Sequence, residues 1–319
     1  MTSYTYDGFG NQTSLTDPDG NTTTWQYNAD NQVTLQTSPT GGQTVTAYNG
    51  DGLVASVTDA DGRSKSFSYE DDGQETQEVW KNSAGTVLDT QHFTYDDDGN
   101  LLTAGNNAGT YTYTYNDDDE VQAVTDPNGI TLTYGYDSNG NVTNIVDSQG
   151  GAVTSTYNND GSLASTSQSG AGITAMSAQY SYDDEGNLSE VARYSNGALV
   201  STTNYGYDGN GNVLTELDKD GSGNILESYT NAYDNQNRIT SQNLNGDVTN
   251  YTYDANSQVT SAGGSSYSFD ANGNQNSSGF VIGPANEITS DGTWNYTYDA
   301  VGDTVQMTNI ASGNYWTFG

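Results

Sequence analysis

"TLTYGYDSNGNVTNIVDSQG", residues 131–150, contains the whole fold in miniature. From Thr131 to Tyr136 polar and aromatic residues alternate, the period-two signature of a half-buried strand. Asp137 to Asn141 follow as "DSNGN", residue types that tolerate the left-handed backbone of a hairpin loop. An aliphatic returns at Val142 and opens a second strand, which ends in another Asp- and Gly-containing turn. The unit is therefore strand, tight loop, strand, turn.

The same aromatic-Asp/Asn/Glu box stands at Tyr6, Tyr27, Tyr48, Tyr69, Tyr95, Tyr115, Tyr136, Tyr157, Tyr182, Tyr207, Tyr233, Tyr253, Phe269 and Tyr298. The spacing is about 21 residues, with insertions of four or five that belong in loops. All of these except Tyr6, Tyr69 and Phe269 are assigned to one structural tyrosine ladder. Six residues after most boxes an aliphatic starts the second strand, as at Val33, Val54, Val121 and Leu188. No window has apolar residues at helical spacing, and Gly or Asn interrupts every 10 to 12 residues, which excludes long helices. The fold class is all-β: a repetitive antiparallel β-hairpin solenoid of roughly 28 strands, read as a single domain over residues 1–319 with about 14 repeats. A flat open sheet of that size is not expected, so the strip must coil.

Composition limits the function. Leu, Ile, Val and Phe number 47 of 319 residues and the net charge is -35, values that ordinarily signal disorder. The 25 regularly spaced tyrosines argue otherwise, because they supply the burial that the aliphatics do not. Six Lys and Arg against 41 Asp and Glu exclude nucleic acid as a partner, and no apolar run long enough for membrane insertion occurs. Without cysteine there are no disulfides or thiolate metal sites.

One stretch invites a cofactor. "DKDGSGNILESY", residues 218–229, places Asp218, Asp220 and Ser222 at the first, third and fifth positions of a calcium loop, but puts Tyr229 where a bidentate Glu belongs. The competing reading is a plain turn, with Asp218 and Gly221 in the second-turn position held by Asp59 and Gly62 in "DADGR". No cofactor is required, and calcium at these three residues stays as the alternative. His92, the single histidine, lies on a strand beside Phe93 and is expected to face solvent rather than act as a catalytic base. No pair of carboxylates stands out for a glycosidase, and "GNGN" at 209–212 opens no helix to bind phosphate.

"YDDDGNLLT" from Tyr95, "YDSNGNVTNIVDSQG" from Tyr136, "YDDEGNLSEV" from Tyr182 and "YDGNGNVLTELDKDG" from Tyr207 resemble the YD repeats of the Rhs (rearrangement hotspot) proteins, teneurins and the C components of insecticidal toxin complexes. That resemblance covers residues 4–300. It implies a hairpin strip spiralling into a hollow shell that encloses a C-terminal toxin or presents a surface to another cell. Family shells are generally longer and end in a core segment that performs self-cleavage, for which the closing "NIASGNYWTFG" offers no counterpart. The expectation is a non-enzymatic shell or scaffold segment of a secreted or cell-surface protein, a fragment lacking separate cargo and core domains. Its partners would be the rest of a larger shell, an enclosed toxin or a cell-surface glycan. The alternative is a self-assembling extracellular filament or adhesin joined through open β-edges; a carbohydrate-binding role using Trp25, Trp80, Trp294 and Trp316, or glycoside hydrolysis, ranks below both.

Overall fold

A computed structural model of the chain describes residues 1–318. Its contacts divide into two units, residues 1–94 with 105–107 and 266–319, and residues 95–104 with 108–265. Both are all-β. In the first unit, consecutive antiparallel pairs run from Ser3–Tyr6 and Gln12–Thr16 to Glu75–Lys81 and Val87–Tyr95. The same unit contains the later strands Phe280–Ile282, Ile288–Asp291, Trp294–Tyr298, Thr304–Asn309 and Tyr315–Thr317. In the second, the same meander continues from Gly109–Tyr115 paired with Val121–Thr125 to Asp247–Tyr253 paired with Val259–Ala262. The only helical element among the described residues is the short 3-10 turn Pro284–Asn286.

Each repeat follows the pattern of residues 131–157. Thr131–Tyr136 pairs with Val142–Asp147, which pairs with Ala152–Tyr157. At the box the register shifts, so that Tyr136 faces Val142 while Gly135 faces Asn144, leaving Thr143 as the extra residue of a bulge. Thr143 Oγ1 donates to the Gly135 carbonyl at 3.2 Å, and Thr34 and Thr76 make the same bond in their own repeats.

The loop is closed by backbone bonds from Asp137 N–H to Asn141 O (3.0 Å) and Gly140 N–H to Asp137 O (3.1 Å). Gly140 sits at φ 79°, a conformation that penalises a Cβ. The turn at the far end of the hairpin is built identically. Asp147 N–H bonds Gly151 O and Gly150 N–H bonds Asp147 O. The box loop and the second turn are one loop used twice.

Neither unit contains an ordinary core. Among the described residues only Val191, Ala192 and Thr203 are buried. A single sheet layer leaves both faces wet. Stability must then come from bonds between neighbouring hairpins.

Candidate functional site

Those bonds centre on the box tyrosine. The hydroxyls of Tyr27, Tyr48, Tyr136 and Tyr157 each donate to a backbone carbonyl fifteen residues upstream, on Gln12, Val33, Val121 and Val142, at 2.7–2.9 Å. Where the repeat is longer or shorter the target is the same structural carbonyl: Leu101 for Tyr115, Leu163 for Tyr182, Leu188 for Tyr207, Val213 for Tyr233, Ile239 for Tyr253 and Ile288 for Tyr298. Tyr69 joins them through Val54, and Tyr95 is also engaged. The ladder is therefore a row of latches, each fastening a hairpin to the strand start of the hairpin before it. Burial raises the phenols of Tyr115, Tyr136 and Tyr207 above their ordinary value, with help from nearby carboxylates. The hydroxyl partner could not be read from period-two alternation, which treats Tyr and Phe alike.

The box acid has a different task. Asp137 Oδ1 accepts the N–H groups of Asn139 (2.9 Å) and Asn141 (3.0 Å), and Oδ2 accepts the Asn141 side-chain amide at 3.0 Å. These donors, the Asn141 amide foremost, hold its carboxyl below the ordinary value. Asp7, Asp183 and Asp208 are held by the same set.

The calcium template is distributed over a strand and its turn. Asp218 lies within the strand Val213–Asp220, opposite Thr203, and its Oδ1 accepts the Thr203 hydroxyl at 2.6 Å. Thr203 Oγ1 in turn accepts from Arg193 Nη1 at 2.7 Å. Asp220 is the loop-closing acid, accepting Ser222 N–H and Asn224 N–H at 2.9 Å each and the Asn224 amide at 2.8 Å. The turn position therefore belongs to Asp220 and Gly223, not to Asp218 and Gly221: Gly223 N–H bonds Asp220 O. The insertion in this repeat lengthened the strands and moved the turn two residues on. Among the described residues no group of three His, Cys, Asp or Glu is arranged to hold a metal ion. The sequence carries no signal for the Arg193–Thr203–Asp218 chain, because its members come from three different strands.

His92 is exposed, with Nδ1 3.5 Å from Gln77 Nε2. Trp80 forms one wall of a cleft of about 380 Å³ with Val57, Arg63, Lys65 and Leu88. Lys65 Nζ covers its ring at 4.2 Å from the centroid and pairs with Glu78 at 2.9 Å. Arg63 is held by Asp59, Asp61 and Asp303, so the cleft presents no surplus of positive charge.

Within the first unit, hairpins far apart in sequence meet turn to loop. Asn272 Nδ2 donates to Asp17 Oδ2 at 2.7 Å and to Asn286 Oδ1 at 2.9 Å, and Arg63 lies 3.7 Å from Asp303. A Cβ on Gly42 would collide with the Ala300 carbonyl. Asp61 and Asp299 also meet there: desolvation first, then the Asp299 charge, raise the Asp61 carboxyl above its ordinary value. Second turns of the early hairpins thus seat on box loops of the late ones.

Comparison with known proteins fits this construction. The family model named RHS Repeat matches residues 1–22, 6–43, 48–79 and 115–152. Over those stretches the chain carries RHS-type repeats. A solved TcdB2–TccC3 structure resembles it at TM-score 0.72 with 18% identity, covering 99% of this chain and 18% of that one. A Tc holotoxin pore of Photorhabdus luminescens with a mutated TccC3 gives TM-score 0.77 at 14% identity, covering 97% and 20%. The chain spans about a fifth of the length of those solved chains. No curated protein matches it. No helix among the described residues is long and apolar enough to cross a membrane.

Proposed function

We propose that this chain is a non-enzymatic wall segment of an Rhs-like shell or scaffold, acting at the cell surface or after secretion. The observation that carries the reading is the latch: in repeat after repeat a tyrosine hydroxyl fastens one hairpin to the next, and in the first unit turns seat on loops. A protein whose polar groups are spent on joining hairpins is suited to bearing load and enclosing or displaying another chain. Cargo or a surface glycan would be its partner, and stability would be a sum of repeat and interface terms. Calcium is not needed, since Asp218 and Asp220 already have hydrogen-bond donors.

The test is cryo-electron microscopy of the purified chain with and without millimolar calcium. The expected result is short, curved, unbranched particles that calcium leaves unchanged. Long regular fibres would replace this reading with the filament one, in which open strand edges pair between copies. A shortening or ordering of particles by calcium would restore the ion to the site at Asp218, Asp220 and Ser222.

A further inference from the structure

The four tryptophans of the chain are not alike. Trp25 spends its indole N–H on Gln36 Oε1 at 3.2 Å, and the ring of Trp80 is capped by the Lys65 ammonium. Trp294 and Trp316 instead line one open cleft of about 590 Å³, inside the range of about 300–1,000 Å³ that ligand sites occupy. Register sets both rings on one face. Trp294 stands opposite Asn309 and Trp316 opposite Met307, two residues away on the same strand, so both indoles leave the sheet on the side of Asn309. One strand lies between them, a separation of about 10 Å across the sheet. Trp294 is half-buried and Trp316 is 62% exposed.

The turn joining Thr304–Asn309 to Tyr315–Thr317 leaves free a polar group that the repeat loops consume. Asn314 closes this turn as Asn141 closes its box loop, its carbonyl accepting Asn309 N–H at 2.8 Å. The turn is one residue longer, however, and Asn309 Oδ1 accepts Ser312 N–H and the Ser312 hydroxyl, both at 2.9 Å. Asn141 gives its side-chain amide to Asp137, whereas the Asn314 amide has no partner among the described residues. In a chain with 41 acids, none of the residues lining the cleft is charged.

We infer that this cleft binds a neutral carbohydrate chain. A sugar ring offers an apolar C–H face, which packs on the electron-rich face of an indole, and a rim of hydroxyls that need donors and acceptors. Two indoles one strand apart are successive platforms for sugar units, and the amides of Asn309 and Asn314 carry donors and an acceptor each for the hydroxyl rim. The ligand is neutral because a chain of net charge -35 repels acidic glycans and the cleft holds no cation to attract them. Covering the cleft with a lipid surface or an apolar protein face would strand the Asn314 amide without a partner, which costs free energy. The inference rests on the reading that a surface glycan is a partner, and gives that partner a site. The two fail separately: curved particles that bind no glycan keep the wall segment and strike the site.

Isothermal titration of the purified chain with cellopentaose, maltopentaose and N-acetylated chitopentaose, and with oligogalacturonate as the acidic counterpart, tests it. At least one neutral oligosaccharide should bind and oligogalacturonate should not. Trp316→Ala should raise the Kd by about tenfold or more and Asn314→Ala by about threefold, while Trp25→Phe leaves it unchanged. Should Trp316→Ala alter the circular dichroism spectrum, Trp316→Tyr takes its place and should raise the Kd in the same direction. Binding by none of the three neutral sugars overturns the inference, as does binding that the Trp316 and Asn314 substitutions leave intact, or a preference for oligogalacturonate. Attachment to phosphatidylcholine vesicles that Trp316→Ala abolishes, without saccharide binding, also overturns it and makes the cleft a bilayer contact.

Discussion

The hairpins between Thr131 and Tyr157 and the segment from Ser265 to Ile282 carry the same loop but not the same strands. Around Tyr136 the strands are six residues long and fully paired. Around Phe269 there is a two-residue strand, an isolated bridge from Phe269 to Gln275 and then the short strand Phe280–Ile282. Yet the loop Asp270–Asn274 is intact, with Asp270 Oδ1 accepting Asn272 N–H and Asn274 N–H at 3.0 and 2.8 Å. The loop is a local device and survives alone. Extended pairing accompanies the latch, and Phe269 has no hydroxyl to latch with.

Alkali should separate the two regions most. The raised phenols of Tyr115, Tyr136 and Tyr207 contribute stability that is complete below the ordinary phenol value near pH 10 and is lost as pH rises through their folded values. Limited proteolysis mapped by mass spectrometry should find the latched hairpins opening together in that window, with no matching transition at Phe269. Acid should not discriminate. Asp137 is held down chiefly by the Asn141 amide; at Asp270 partial burial opposes the shift, and the Asn274 amide and loop N–H groups outweigh it. Both contributions are present above the ordinary value of 3.8 and fade as pH falls below it, so both loops should loosen in parallel.

Single substitutions grade the latch. Tyr136→Ala removes ring and hydroxyl together and should cost about 2–3 kcal/mol, the lower end of aromatic truncations because the residue is only half-buried. Urea unfolding measures it. Tyr136→Phe removes only the bond to Val121 O and should cost about 1 kcal/mol, read as faster amide exchange in Val121–Thr125 with the loop at Asp137 unaffected. Equal losses in the two variants would mean that the ring contributes nothing beyond its hydroxyl. The smallest effect belongs to Phe269→Tyr, a gain of under about 1 kcal/mol with slower exchange between Ser265 and Gln275; no change would show that strand length, not the missing hydroxyl, limits pairing there.

Local pattern was enough for the repeat, the hairpin, the loops and the strand starts. Val33, Val54, Val121, Val142 and Leu188 each open a strand where the spacing placed them, because alternation and D-x-x-G-N loops act over a few residues. The insertions misled it: at Asp218 the lengthened strand carried the turn on to Asp220. Tertiary structure alone decided what lies across the strands and between distant hairpins: the carbonyl under each tyrosine, the Arg193–Thr203–Asp218 chain, and the bond from Asn272 to Asp17 across 255 residues. Those contacts depend on register and on how hairpins stack, and a pattern that repeats every 21 residues is indifferent to which repeat is brought against which.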